Sequence, residues 1–287
     1  MSKSDRFEIR VMARKDVETA VKWAASEGWN PGLSDAECFY SADKNGFLAG
    51  FIGNEPVATI SCVKYGNKFG FLGFYIVKTE YRKQGYGKRI WDRALEYLGG
   101  ITVGLDGVVG QQSNYTKSGF CFAHKNIRYL SICGKPEYKA RSDRGILRLP
   151  EINDKELAEY DRQHFPAERR AFLKSWINSA NSDVAAFADS NSIKGYGVMR
   201  RCLSGYKIGP LFADDMNIAL AIFDVLTSGL PAGSQVFLDV PAVNFQAEEL
   251  VKRYSMTPVF ETARMYKGEI PHLPLERIFG ITSFELG

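Results

Sequence analysis

Between residues 81 and 88 the chain reads Tyr81-Arg82-Lys83-Gln84-Gly85-Tyr86-Gly87-Lys88. Two glycines this close together let a backbone approach a ligand closely. Arg82, Lys83, Lys88 and Arg89 gather positive charge at the same place. Ahead of the loop, Phe69 to Val77 is aromatic and β-branched with only glycines interleaved, the composition of a strand. Behind it, Ile90, Trp91, Ala94, Leu95 and Leu98 recur at helical spacing. A helix that opens on such a loop points its unpaired N–H groups at whatever sits there. The chemistry predicted is anion binding, most naturally of a phosphate or pyrophosphate. A glycine-containing turn with solvated lysines is the bland alternative, but strand, loop and helix stand in the order a phosphate site requires. No Gly-x-x-x-x-Gly-Lys-Ser/Thr occurs, so the loop is not a P-loop. It also lacks the third glycine of the dinucleotide fingerprint.

The form Arg82-x-x-Gly85-x-Gly87 after such a strand closely resembles the acyl-CoA loop of the GNAT superfamily of N-acetyltransferases. The order of elements is similar to the whole GNAT domain over roughly residues 5 to 133. The resemblance implies acetyl-CoA as acyl donor, with its pyrophosphate held by the loop Arg82, Lys83, Gln84, Gly85, Tyr86, Gly87 and Lys88. It implies further cofactor contacts at Tyr75, Ile76, Val77 and Asn114, along a strand that family members splay from the next one. A backbone N–H near Ile76 or Val77 would polarise the thioester carbonyl. In the family, a tyrosine four residues before a Gly-Phe pair commonly gives the departing thiolate its proton, and Tyr115 occupies that position before Gly119-Phe120. Read without the resemblance, Tyr115 has a second reading as a helix-end aromatic at the rim of the core. One departure stands nearby. The family often has Asn seven residues before the tyrosine, where this chain has Val108.

An alkylamine acceptor has a pKa of about 10.4, so it arrives protonated and must lose a proton. The central strand carries no acid. Asp106, at the end of the following strand, is the first candidate, as base through water or as an ammonium anchor. Its alternative is to cap the next turn. Glu37 and Glu80 are weaker candidates, and His124 reads as a strand residue facing neighbours. Trp29, Glu37 and Tyr40 fall where the family's acceptor-binding loop and second helix lie. Trp29, beside Asn30-Pro31-Gly32, reads equally as a lid over the core.

The elements that must position these residues follow from patterning. Phe7 to Val11 is predicted as a strand, and Asp16 as the cap of a helix carrying Val17, Ala20, Val21 and Ala24. Ser34-x-x-Glu37 predicts a capping box on a second helix. Strands are predicted at Phe47 to Ile52, Val57 to Val63 and Ile101 to Leu105, with two short ones ending near Ile132. A polar, basic connector from Gly134 to Gly145 divides the chain into domains 1–134 and 145–287. The second repeats the order of the first: Asn153-x-x-Glu156 caps a helix, strands and a helix from about Asp215 to Leu226 follow, and Leu238-Asp239 matches Leu105-Asp106. Arg264 lies nine residues after Ser255, as Arg128 does after Gly119. Its chemistry does not repeat. Asp214-Asp215 stand where the first half has its basic glycine loop, and carboxylates repel a pyrophosphate. Val251 stands where the first half has Tyr115, while Asn244 keeps the family's asparagine. The tail Phe279 to Leu286 is apolar enough to be ordered, as an added strand or a plug. Asp239 is expected to face a cationic amine at the domain junction.

The 287 residues suit two domains, and 45% hydrophobic content is ample for packed cores. Five scattered cysteines without a Cys-x-x-Cys point to reduced thiols in a cytoplasmic setting and against a metal site. No apolar run is long enough for a membrane span. A net charge of +4 fits an enzyme of anionic CoA and falls short of a nucleic-acid footprint. The expected architecture is therefore α+β: two tandem GNAT-like domains, each a mixed, mostly antiparallel sheet flanked by helices, with catalysis in the first. The expected activity is direct acetyl transfer to a primary amine, small-molecule or peptide, because neither Cys38 nor Cys121 has an activating partner in sequence. An acyl-CoA-binding regulator without turnover is the second reading, and an aminoacyl-tRNA-dependent transferase the third.

Overall fold

The computed structural model describes residues 7–133, 145–149, 151–189 and 192–287. The expected connector, apart from Gly145, lies outside the described residues. The first half runs β1 (Phe7–Val11), α1 (Arg14–Ser26), α2 (Asp35–Ala42), β2 (Phe47–Ile52), β3 (Glu55–Tyr65), β4 (Phe69–Val77), α3 (Tyr86–Leu98), β5 (Thr102–Val108), α4 (Gln112–Lys117) and β6 (Cys121–Ile132). The second runs β7 (Ile146–Arg148), α5 (Asp154–His164), α6 (Arg170–Ile177), β8 (Ser182–Asp189), β9 (Ser192–Arg201), β10 (Tyr206–Ala213), α7 (Met216–Thr227), β11 (Gln235–Pro241), α8 (Phe245–Arg253), β12 (Thr257–Lys267) and β13 (Ile278–Gly280).

The thirteen strands among the described residues belong to one sheet, mostly antiparallel, in the order β1-β2-β3-β4-β5-β12-β6-β11-β10-β9-β8-β7, with β13 on β10. The sheet is continuous across the division between the halves. β12 of the second half pairs with β5 of the first, and β6 of the first pairs with β11 of the second. Each half is thus completed by the last long strand of the other. The segment expected as two short strands is the single twelve-residue β6, because it is paired on both sides, with β12 and β11.

The repeated residues explain why this exchange is specific. Arg264 on β12 lies directly opposite Asp106 on β5, and Asp239 on β11 directly opposite Arg128 on β6. Both pairs are buried and two-pronged: Arg264 donates to Asp106 at 2.8 and 2.6 Å, and Arg128 to Asp239 at 2.6 and 2.8 Å. Opposite charges set across a strand pair fix its register, since a slip of one residue would strand all four charges in the interior. The same two-residue code, read twice, ties each half to the other.

The halves also share one core. Phe39 of α2 stacks on Trp176 of α6 at 5.6 Å, and Phe165 meets Tyr65 and Phe69 edge-on. Both Phe39 and Trp176 are fully buried. Asp16 accepts the Ala13 N–H from inside α1 rather than capping from outside it. The capping box expected at Ser34 does not form: Asp35 takes the Gly32 N–H at 2.8 Å, and the Ser34 hydroxyl accepts from Asn181 of the second half. Asn153 caps α5 as expected. No helix among the described residues is long and apolar enough to cross a membrane.

Candidate active site

β4 and β5 run parallel only from Phe69 and Thr102 to Leu72 and Leu105. Past Leu72 they part. The cause is local: Phe74 adopts φ +46°, the pairing with β3 slips at this point, and the Thr59 hydroxyl holds the Phe74 carbonyl at 2.9 Å. The parting leaves a cleft of about 630 Å³. The Lys78 N–H donates to Val57 on β3, so alternation along the strand turns the Val77 backbone groups toward the open side. The Val77 carbonyl is indeed taken there by Arg82 Nε at 2.8 Å. The Val77 N–H faces the same open side.

At the mouth of the cleft the loop enters α3. Gly85 sits at φ +87° as the N-cap, with no side chain capping the helix, and Lys83 is also left-handed at φ +63°. The first helical bond runs from Arg89 N–H to Gly85 C=O, so the N–H groups ahead of it are directed outward. At Gly87 there is no room for a side chain: a Cβ would lie 2.7 Å from the Tyr75 hydroxyl and 3.2 Å from Val77 Cγ2. Arg82, Lys83, Gly85, Gly87 and Lys88 all line the cleft, together with Tyr75, Ile76, Val77 and Asn114. Gln84 and Tyr86 do not line the cleft: Gln84 turns back into the loop, donating to the Glu80 carbonyl, and Tyr86 packs on Phe7 of β1.

Tyr115 lies in the opposite wall. Its ring stacks on Trp91 at 5.6 Å and rests on Gly107, where a Cβ would come within 2.7 Å of Tyr115 Cδ2. The residue is 9% exposed, and burial pushes its phenol up to about 12. It is therefore both a core-rim aromatic and a wall of the cleft, and the phenol keeps its proton at neutral pH.

Other expected site residues are corrected. Asp106 lines the cleft as a strand residue, since β5 runs on through Val108. It does not cap a turn, nor is it a free base: Arg264 and Asn126 occupy both its oxygens. Burial pushes its carboxyl up against the pull of Arg264. Asp106→Ala leaves the Arg264 guanidinium buried without its carboxylate and should cost about 3–5 kcal/mol. Thermal unfolding measures this; replacing both partners by apolar residues should recover most of the loss, and a cost below about 1 kcal/mol would mean that the pair holds nothing. Asp239 does not face an amine. It is 1% exposed, and although burial alone would raise it, Arg128 holds it below the usual carboxylate range. Glu37 lies outside the cleft, ion-paired at the surface with Arg14 at 2.6 Å. Tyr40 also lies outside, packed near Phe47. Trp29 lines the cleft, its carbonyl held by Arg128 at 2.8 Å. Cys38 is buried, its thiol pushed up by that burial, and Cys121 is exposed away from the cleft.

The second half closes the equivalent gap. β10 and β11 run parallel only over Tyr206–Ile208, and the space beyond is filled by β13, which pairs with β10 at Leu211 and Phe212. Asn244 caps α8 and also donates to the Ile278 carbonyl, which fixes β13 in place. Asp215 accepts the Asn217 and Ile218 N–H groups at the start of α7, so the amides left open at Gly85 are closed here by the chain itself.

Several cleft residues come from the far end of the chain: Phe260 and Thr262 on β12, and Phe284 and Glu285 in the tail. Sequence reading places none of them. The signal available in sequence is Glu285 itself, the single acid in a mostly apolar tail.

Residues 14–118 match the model of the Acetyltransferase (GNAT) family, and residues 157–280 that of an Acetyltransferase (GNAT) domain. The chain is 30% identical over 266 residues to holothin acyltransferase of Pseudoalteromonas sp. (strain SANK 73390), which covers 93% of this chain and 90% of that one. Among solved structures it is similar to a putative acetyltransferase from Pyrococcus horikoshii, at TM-score 0.83 and 23% identity, over 100% of this chain and 97% of the other. It is also similar in fold to a tandem GNAT protein from the clavulanic acid biosynthesis pathway, at TM-score 0.63 and 11% identity, over 93% of this chain and 100% of that one.

Proposed function

The chain belongs to the GNAT acetyltransferase family, with two GNAT domains in tandem, and on that premise we propose that it transfers an acetyl group from acetyl-CoA to a primary amine in the cleft of its first half. The observation that carries this reading is the parting of β4 from β5 with an uncapped, glycine-opened helix at its mouth. Acetyl-CoA supplies an activated thioester carbonyl and a thiolate leaving group. The loop amides and Lys83 would hold its pyrophosphate, the freed edge of β4 its pantetheine arm, and Val77 N–H its carbonyl oxygen. Tyr115 would donate its proton to the departing sulfur. The acyltransferase relative supports acyl transfer as the reaction class, and the acceptor amine is proposed by class alone.

Thiol release from acetyl-CoA across a panel of amines tests the activity directly. Calorimetric titration tests the site. One acetyl-CoA should bind per chain, since β13 fills the other gap. Gly87→Val drives a branched side chain into Tyr75 and over the loop amides, and should raise the dissociation constant at least about 10-fold, or 1.4 kcal/mol. An unchanged affinity in a folded variant, or a second acetyl-CoA bound beside Asp215, would overturn the assignment.

A further inference from the structure

With Asp106 committed to Arg264, the cleft needs another group to take the proton of an arriving ammonium. We infer that Glu285, delivered by the C-terminal tail of the second half, is the general base that deprotonates the acceptor amine in the cleft of the first half. The inference rests on the acetyl-transfer reading above and deepens it.

The tail reaches the cleft by a defined route. After β13, Ile281 N–H bonds the Asp239 carbonyl at 2.9 Å, and Ile281, Phe284 and Leu286 bury their side chains. The Tyr65 hydroxyl then fixes the Leu286 carbonyl at 3.0 Å. Between these anchors the backbone of Glu285 lies against Gly73, just where β4 leaves β5. A Cβ on Gly73 would come within 2.8 Å of the Glu285 carbonyl carbon, so only glycine admits the tail here. Glu285, the one acidic residue of the tail, is thereby held as a lining residue of the cleft.

Glu285 is 3% exposed, and its Oε1 has no hydrogen-bond partner among the described residues. Leaving a buried acceptor unmade costs about 1–3 kcal/mol, so an orphan of this kind needs a reason. Every other buried carboxylate near it is spoken for: Asp106 by Arg264, Asp239 by Arg128, and Asp35 by Arg200. The cations that face Glu285 are Lys207, Arg128 and Arg200, and the acids Asp35 and Asp239 lie in the same cluster. Lys207 gives its hydrogen bonds to the Asn30 carbonyl at 3.0 Å and the Trp29 carbonyl at 3.4 Å. Burial pushes the Glu285 carboxyl up against the pull of Lys207. A carboxylate raised toward neutrality is a better proton acceptor for an amine than an ordinary one. Trp29, Phe260 and Phe284 give the surrounding wall its apolar character.

The step balances as follows. An N–H bond of the ammonium breaks and its proton goes to Glu285 Oε1. The freed lone pair forms the C–N bond at the thioester carbonyl carbon, whose oxygen takes the Val77 N–H. The C–S bond breaks, and the sulfur receives a proton from the Tyr115 hydroxyl, which regains one from the nitrogen. Glu285 then returns its proton to water.

The test compares wild type with Glu285→Gln and Glu285→Ala. Acetyl-CoA titration confirms that each variant is folded and loaded. The acceptors are 2-phenylethylamine, which is protonated at neutral pH, and phenylhydrazine, which is neutral. Glu285→Gln should lose about 10²-fold in turnover with the alkylamine and less than about 5-fold with the hydrazine. The loss with the alkylamine should shrink as the pH rises toward the amine's own pKa of about 10, where the solution supplies it already neutral. Equal losses with both acceptors would make Glu285 structural and overturn the inference. If wild type releases no thiol with either amine and binds no acetyl-CoA, it is the acetyl-transfer reading that fails. Wild-type turnover of the alkylamine by Glu285→Gln would return the proton to bulk water.

Discussion

Tyr115→Phe should lower turnover about 10²-fold while leaving acetyl-CoA affinity nearly unchanged. The ring would still stack on Trp91 and rest on Gly107, so the wall of the cleft survives and only the hydroxyl is lost. This separates the two roles of the residue, packing and proton donation, which coincide in the same side chain. The pH profile adds a second check. Burial raises the phenol to about 12, against an unperturbed value of about 10. A group whose folded pKa is raised keeps its proton across the neutral and moderately alkaline range, and the folded state loses its advantage only as the pH rises through about 10 to 12. No alkaline fall in turnover below about pH 10 should therefore trace to Tyr115. If Tyr115→Phe abolishes an alkaline limb centred near pH 8, the phenol ionises far more readily than its burial allows. Wild-type turnover in the variant would leave Tyr115 as packing alone.

The parts of the site legible in sequence are those encoded within some thirty consecutive residues. Phe69 to Leu98 reads as strand, glycine loop and helix because each step is a local matter of side-chain shape and backbone freedom, and the structure has β4, the Gly85 N-cap and α3 in that order. The parting of the strands is different. It depends on a left-handed Phe74 and a hydroxyl on the neighbouring strand, and nothing in the sequence of β4 alone announces either. The repeated Asp and Arg positions were visible, but their partners were not. Asp106 meets an arginine 158 residues away and Asp239 one 111 residues away, since each half gives up its last long strand to the other. That non-local pairing is what turned the expected base into a structural anchor. The same holds for the tail. Its apolar character marked it as ordered, and its place as a strand in one gap and an edge of the other follows only from the assembled sheet.

Ending the chain after Gly280 should destabilise the protein more than any single substitution discussed above. The deletion keeps β13 but removes the buried side chains of Ile281, Phe284 and Leu286, which are 6%, 7% and 0% exposed. At about 1.5–3 kcal/mol each, their loss amounts to roughly 5–9 kcal/mol, within the whole stability of an ordinary domain. It also exposes the shared core at Tyr65, whose hydroxyl loses the Leu286 carbonyl, and removes the Ile281 bond to β11 beside the Asp239–Arg128 pair. Because the two halves hold one sheet and one core, the damage cannot stay in the second half. Thermal unfolding of the shortened chain should show a fall of tens of degrees or no cooperative transition, with acetyl-CoA binding lost in parallel. A milder variant separates stability from chemistry: Leu286→Ala removes one anchor below the cleft and should cost about 2–5 kcal/mol while keeping Glu285 in the chain. If the shortened chain instead melts within a few degrees of the full one and still binds acetyl-CoA, the tail is an ornament on two self-sufficient halves, and the coupling between them lies in the exchanged strands alone.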